Sequence, residues 1–237
     1  MKKINKDDIV KHAELNSSLE MTRKISKDVE GYVCHEFIHI LYVLKELMGE
    51  SCKNYLEIGT HNGGSLIVVM QSAYKTNFFG LDIWTRSSNM KIANRNIVNH
   101  NTYGHSFELI KGNSMKDIVF ANVKNKCPQV DLLFIDGGHS FKNVINDFER
   151  YSQLVPKNGI IVFDDYLYLE KENHPHSPEV AERKMQVRRA VDHLVNKYGH
   201  LYNIIGTVPN IANAKPRSGK NQWHLNNNVS YIMQKKL

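Results

Sequence analysis

Tyr55-Leu56-Glu57-Ile58-Gly59-Thr60-His61-Asn62-Gly63-Gly64-Ser65 is the stretch on which the fold turns. A short apolar run stops at a glycine, and two more glycines precede a second apolar run. This is the pattern of a buried strand, a tight turn and a helix starting beside the strand's carboxyl end. Gly59 lets the backbone turn with no side chain in the way of a ligand. Gly63 and Gly64 are expected to allow an equally close approach, and Ser65 to cap the helix through its hydroxyl.

Similar apolar runs recur at Phe78–Ile83, Phe107–Ile110, Asp131–Ile135 and Ile160–Phe163, with helical stretches between them. The clearest of those helices carries Phe141, Val144, Ile145, Phe148 and Tyr151 on one face, and Pro156 and Gly159 close the segment. Such alternation implies a mainly parallel sheet with helices on both faces. Right-handed crossovers make it doubly wound. Upstream, Cys34, Phe37, Ile38, Leu41, Leu44 and Leu47 fall at helical spacing, and Gly49 offers a stop. Downstream, 178–198 reads as a helix. Leu201–Val208 and Val229–Met233 read as strands, separated by a polar stretch from Asn210 to Asn228. A strand, an excursion and a returning strand without a helix suggest an antiparallel pair at the sheet edge. The expected organisation is an N-terminal arm and helix over 1–50 and the main α/β domain over 51–237, together one structural domain.

The chain has 237 residues, 41% of them hydrophobic, which is enough for a sizeable core. Its start, Met1-Lys2-Lys3-Ile4-Asn5-Lys6-Asp7-Asp8, is basic and then acidic with no apolar segment behind it. That excludes a secretory signal and suggests a loosely packed arm. No apolar run reaches the ~18–20 residues of a membrane span, so no membrane partner is expected. The three cysteines, Cys34, Cys52 and Cys127, are scattered without a CxxC pair. They read as free thiols in a reducing compartment, and the location expected is cytoplasmic. The net charge of +7 permits an anionic partner such as a phosphate-bearing substrate or nucleic acid, but the basic residues are dispersed and read as a solvated surface.

The spacing of the glycines bears on the ligand. A dinucleotide fingerprint needs GxGxxG to seat a pyrophosphate. Here the glycines fall as GxxxGG, His61 stands where the second glycine belongs, and Glu57 precedes the turn. A carboxylate there repels a pyrophosphate and attracts a cationic amino-acid group. S-adenosylmethionine carries such an ammonium together with a sulfonium. Asp82, at the tip of the second run, can hold both hydroxyls of a ribose. Asn113 and Ser114 follow the third run and can meet an adenine edge. The cofactor-binding set expected is Glu57, Gly59, Thr60, Asn62, Gly63, Ser65, Asp82, Asn113, Ser114 and Asp136.

Two apolar runs end abruptly in acid: Asp131-Leu132-Leu133-Phe134-Ile135-Asp136 and Ile160-Ile161-Val162-Phe163-Asp164-Asp165. Joined by one helix, they should be neighbours about 4.8 Å apart, with their carboxylates on one rim. Crowded carboxylates need a proton or a cation to coexist. Asp136, Asp164 and Asp165 are therefore candidate ligands for Mg²⁺ or another hard divalent cation. Such an ion can hold an acceptor hydroxyl and lower its pKa. Beyond a flexible Gly137-Gly138 turn, His139 is the candidate general base, acting with Asp136 in catalysis.

EIGTHNGGS at 57–65, GLDIW at 80–84, IDGGHSFKNVINDF at 135–148 and PKNGIIVFDDY at 156–166 resemble the class I S-adenosylmethionine-dependent methyltransferases of the macrocin O-methyltransferase and cephalosporin-hydroxylase-like family. The resemblance covers roughly 30–166. It implies a seven-stranded sheet with the last strand antiparallel. It also implies methyl transfer to a hydroxyl of a small molecule or sugar, with Mg²⁺ on Asp136, Asp164 and Asp165 and His139 as base. The adenine-side position departs from the family, reading Asn113-Ser114 instead of an acid. The long segments 84–106 and 167–186, carrying Trp84, Arg86, His100, Tyr103, His105, Tyr166, Tyr168, His174 and His176, are expected to form substrate walls or a lid. Two alternatives stay open: a nucleic-acid methyltransferase and a non-catalytic S-adenosylmethionine-binding subunit. Ile135-Asp136-Gly137-Gly138 stands where base methylation at exocyclic amines uses Asn/Asp-Pro-Pro-aromatic, which counts against the first. The intact acids count against the second. The N-terminal arm and helix offer a surface for a homo-oligomer.

Overall fold

A strand buried on both faces must be apolar throughout, because alternate side chains enter two different cores. Strand β1 (Asn54–Ile58) sends Tyr55 into one core and Leu56 and Ile58 into the other. Strand β4 (Leu132–Ile135) divides Leu132 and Phe134 from Leu133 and Ile135. Strand β5 (Ile160–Leu167) divides Ile160 and Val162 from Ile161 and Phe163. This is why these runs are continuous in the sequence and not alternating. The computed structural model describes residues 3–15, 17–30, 38–167, 178–208 and 228–236.

With β2 (Asn77–Asp82), β3 (Ser106–Lys111), β6 (Tyr202–Thr207) and β7 (Asn228–Lys235), the sheet has seven strands in the order β3-β2-β1-β4-β5-β7-β6. The first five are parallel, and β7 runs antiparallel to both β5 and β6. The reversed last strand therefore slots inside the edge strand β6. From β1 the chain winds first to β2 and β3, then back across to β4 and β5. The switch point lies between β1 and β4, where open α/β sheets bind their ligands.

One face is covered by α3 (His39–Met48), α4 (Gly64–Val69) and α5 (Ser87–His100). The other is covered by α6 (Asp117–Lys126), α7 (Phe141–Tyr151) and α8 (Pro178–Tyr198). Ser140 starts α7, its hydroxyl accepting from the Asn143 N–H at 3.2 Å. Val144, Phe148 and Tyr151 then face the sheet.

The N-terminal arm departs from expectation. It forms α1 (Lys6–Leu15) and α2 (Ser18–Asp28), and Ile4, Ile9 and Ile25 are buried in the same core as Tyr55 and Phe78. The Ile4 N–H donates to Gln234 Oε1 on β7 at 3.0 Å. The charged and polar neighbours over 1–8 hid Ile4, and Ile9 follows directly after them. The helix expected from Cys34 begins at His39 in the described residues, and Cys34 and Phe37 lie outside them. Cys52 and Cys127 are buried free thiols. Among the described residues no helix is long and apolar enough to cross a membrane.

Ile9 is completely buried, so Ile9→Ala should cost about 2–4 kcal/mol in urea denaturation. Lys11→Ala, on the exposed side of the same helix, should stay within about 0.5 kcal/mol of wild type.

Candidate active site

The turns after β1 and β4 touch backbone to backbone. The Asp136 N–H donates to the Ile58 carbonyl at 2.8 Å. Gly59 has φ +98°, and a Cβ there would stand 2.0 Å from the Asp136 carbonyl oxygen. The glycine is thus required by a neighbouring loop as well as by any ligand. Gly59 and Thr60 N–H groups both donate to Leu81 O, at 2.8 and 3.4 Å, which ties the same turn to β2.

Asp82 fastens the next part of the loop. Its carboxylate accepts from the His61 N–H at 2.9 Å and the Trp84 N–H at 2.7 Å. Trp84 Nε1 donates back to His61 O at 2.7 Å, and the indole is buried. Trp84, expected in a substrate wall, is instead a brace behind the loop. A carboxylate has about four acceptor positions, so the half-buried Asp82 retains capacity for ribose hydroxyls.

A groove opens here, lined among others by Gly59, Asp82, Ile83, Asn113, Ser114 and Gly137. Asn113 Oδ1 accepts from the Met115 N–H at 2.9 Å, which shapes the turn after β3. Ile83 is 53% exposed, an apolar residue held beside the opening where a base could lie against it.

The other expected cofactor residues do not line the groove. Glu57 is fully buried, accepting from Tyr55 Oη at 2.7 Å and Ser65 Oγ at 2.9 Å. Residues two apart in a strand share a face, so Glu57 follows Tyr55 beneath α4. Ser65 is likewise no cap: Gly63 holds that position without a side-chain hydrogen bond, and the Ser65 hydroxyl serves Glu57. Thr60 packs under Gly80, Asn62 is buried and its carbonyl accepts from Asn96 Nδ2 at 3.0 Å, and Gly63 presses on Ile97 of α5. These residues give the loop its shape.

A second pocket shares Gly137 with the groove and is lined by Asp136, Gly138, His139, Val144, Asp164 and Val187 among others. His139 Nε2 stands 2.8 Å from Asp165 Oδ2 and 3.8 Å from Asp136 Oδ1. The Asp136 carboxyl is held well above its usual range, first by burial, then by the charges of Asp164, Asp165 and Glu57 and a hydrogen bond with Asp164. The protonated form of Asp136 is therefore favoured.

The acids of β5 do not end the strand. β5 continues to Leu167, with a register shift against β7 between Phe163 and Tyr166 and φ +53° at Asp165. The irregularity lies where β5 outruns β4, and a bulge of this kind re-aims consecutive side chains. Among the described residues no group of three or more His, Cys, Asp or Glu side chains is gathered to hold a metal ion. The Asp165 carboxylate is turned to His139 instead. Gly137-Gly138 is a packed turn and not a flexible one: a Cβ at Gly138 would lie 1.8 Å from Asn143 Nδ2.

His100, Tyr103 and His105 lie away from this rim. Helix α5 runs back against β2, so its end sits at the strands' amino ends. There His105 is buried, with Nε2 within 3.0 Å of Met70 O and 2.9 Å of Ser72 O. Tyr166 Oη donates to Asp192 Oδ1 of α8 at 2.8 Å. Tyr168, His174 and His176 lie outside the described residues. Ile83, which lines the groove, was not among the expected site residues; an apolar residue directly after the strand-end acid is its signal in the sequence.

A doubly wound sheet with a groove and an acidic pocket at its switch point is the architecture of nucleoside-cofactor enzymes. A family model described as a methyltransferase domain matches residues 56–166. Uncharacterized protein R132 of Acanthamoeba polyphaga mimivirus is 32% identical over 192 residues, covering 81% of this chain and 84% of that one. An O-methyltransferase from Bacillus cereus, solved with S-adenosylhomocysteine, superposes with TM-score 0.62 at 17% identity and 98% coverage of both chains. The O-methyltransferase TomG of Streptomyces achromogenes, solved with S-adenosylmethionine, gives 0.61 at 15% identity, covering 98% of this chain and 97% of that one. The chain belongs to the methyltransferase-domain family and is a class I S-adenosylmethionine-dependent methyltransferase.

Burial pushes Glu57 up from 4.5 to about 7. The folded protein therefore holds a proton that the unfolded chain releases, and the stability this confers is present below pH 4.5 and lost as pH rises through 7. Glu57→Gln keeps a neutral partner for Tyr55 and Ser65. Without ligand it should match wild type at pH 4 and exceed it at pH 8 by roughly 1–3 kcal/mol in chemical denaturation.

Proposed function

We propose that this methyltransferase transfers a methyl group to a hydroxyl of a small molecule or sugar, with a hard divalent cation beside the acceptor. The observation that carries this reading is the junction at Gly137, where the cofactor groove and the acidic His139 pocket meet. A methyl donor on one side faces an acceptor on the other across one residue. The O-methyltransferases among the structural neighbours agree with it.

The ribose would rest on Asp82, and the base between Ile83 and the Asn113–Ser114 turn. The acceptor oxygen would attack the sulfonium methyl in line, breaking the carbon–sulfur bond and releasing S-adenosylhomocysteine. The hydroxyl proton passes to His139 Nε2. Alignment and exclusion of water are the protein's main contributions to such a displacement.

Asp136, Asp164 and Asp165 suit a hard cation by chemistry, since all offer oxygen and their crowding is what a positive charge relieves. To join the other two, Asp165 must turn away from His139, leaving Nε2 open to accept a proton. When bound, the ion would make the acceptor hydroxyl more acidic.

Titration calorimetry with S-adenosylhomocysteine, with and without Mg²⁺, tests this reading on wild type and Asp136→Ala. Expected is nucleoside binding in both proteins and Mg²⁺ binding in wild type alone. Nucleoside binding without any Mg²⁺ site would remove the cation from the mechanism. Against a panel of hydroxylated acceptors, His139→Asn should lower kcat by about 10²–10⁴ while leaving S-adenosylhomocysteine affinity nearly unchanged. An equal loss of nucleoside binding would assign His139 a structural role.

A further inference from the structure

Phe163 and Tyr166 pack in the same core, on the side of α7 and α8, although they stand three residues apart on β5. A regular strand puts residues at odd spacing on opposite faces. The register with β7 shows how the odd spacing is absorbed. Phe163 pairs with Tyr231 and Tyr166 with Val229, so Asp164 and Asp165 together oppose the single buried residue Ser230. One extra residue flips every later side chain of a strand to the other face. The bulge that turns Asp165 to His139 is therefore also what turns Tyr166 to α8.

Tyr166 is held where the bulge puts it. Its Oη donates to Asp192 Oδ1 of α8 at 2.8 Å, and its ring lies 4.9 Å from that of Tyr231. Arg188, one turn earlier on α8, stands 3.7 Å from the other Asp192 oxygen. In an unbulged β5, Tyr166 would leave this face and the bond to Asp192 could not form. Bulge and hydrogen bond thus stabilise each other. The bulge needs such support, because Asp165 sits at φ +53°, a conformation that costs energy for a residue other than glycine. A hydrogen bond to an ionised carboxylate shifts an equilibrium of this kind by about tenfold or more.

We propose that Tyr166 and Asp192 are positioning residues for His139. Their hydrogen bond holds the β5 bulge in register, and the bulge carries Asp165 Oδ2 to the imidazole. Both act through Asp165, from the α8 side of the strand. The catalytic meaning of this clamp rests on the reading of His139 as the base.

The test reads the ring nitrogens of isotopically labelled histidine by NMR at about pH 9, where an ordinary imidazole is neutral. His139→Asn identifies the His139 signal by its loss. Asp165→Gly, which suits the positive φ, supplies the signal of the same ring without its carboxylate. In Tyr166→Phe and Asp192→Ala the His139 signal should move at least about half of the way to the Asp165→Gly position, since an averaged shift reports the fraction of molecules with the bulge released. Asp192→Asn keeps an acceptor for the Tyr166 hydroxyl and should stay at the wild-type position. His193, whose ring meets that of Phe141 on α7 at 5.6 Å, reports whether α8 keeps its seat. In Tyr166→Phe its signal should not move. If both variants lose stability while the His139 signal stays in place, the pair supports only the fold and the proposal is overturned. A His193 signal that moves together with that of His139 overturns it too, because α8 has then shifted as a whole. So does a wild-type His139 signal identical to that of Asp165→Gly. Should Asp192→Ala not fold, Tyr166→Phe decides, because it keeps the ring and removes one oxygen. Normal turnover by His139→Asn would bring down the base reading and leave these signals standing, so the two failures are told apart.

Discussion

The contact between the turn after β1 and the end of β4 governs the rest of the active rim. Gly59 brings its Cα so close to the Asp136 carbonyl that no side chain fits between them. That closeness sets the Asp136 carboxyl beside the cofactor turn and lets Gly137 serve as a wall of both pockets. Transfer chemistry needs donor and acceptor within a few ångströms of each other, aligned. Here the spacing is fixed by main chain, which cannot change rotamer.

Much of the rim's charge is buried and mutually repelling. Glu57 and Asp136 are both held above their usual range by burial and by neighbouring acids, and Glu57 accepts hydrogen bonds from Tyr55 and Ser65. Glu57 is the instructive member. It never faces the groove, yet its hydrogen bonds from Tyr55 and Ser65 hold the start of α4 to β1. Its charge also adds to the field at Asp136. Its contribution to the rim is electrostatic and architectural, exerted from below the surface.

The fold was readable because burial on both faces leaves a direct trace in the sequence. Ile160–Phe163 and Leu132–Ile135 are continuous apolar runs for that reason, and the absence of a helix between β6 and β7 marked the antiparallel return. The placement of the acids on one rim followed from adjacency of β4 and β5. Side-chain direction was harder. Glu57 and Tyr55 share strand parity, so the burial of Glu57 was implicit, but the glycine turn after it invited a ligand-facing interpretation. His100, Tyr103 and His105 were assigned to the rim from loop length, whereas chain direction through α5 carries them to the opposite end. The irregularity at Asp165 has no local sequence signature, since an extra residue in a strand shows itself only against its partner. Ile4 and Ile9 were masked by charged neighbours, and only the tertiary contact with the sheet distinguishes them from a solvated arm.

The His139–Asp165 pair depends on one local irregularity. Asp165 Oδ2 meets the imidazole at 2.8 Å, while the neighbouring Asp164 lines the same pocket with Asp136. In a regular strand consecutive side chains point to opposite faces. Asp164 and Asp165 could not then both serve one rim. The bulge beyond β4, with φ +53° at Asp165, is therefore the local feature that brings the second acid to His139.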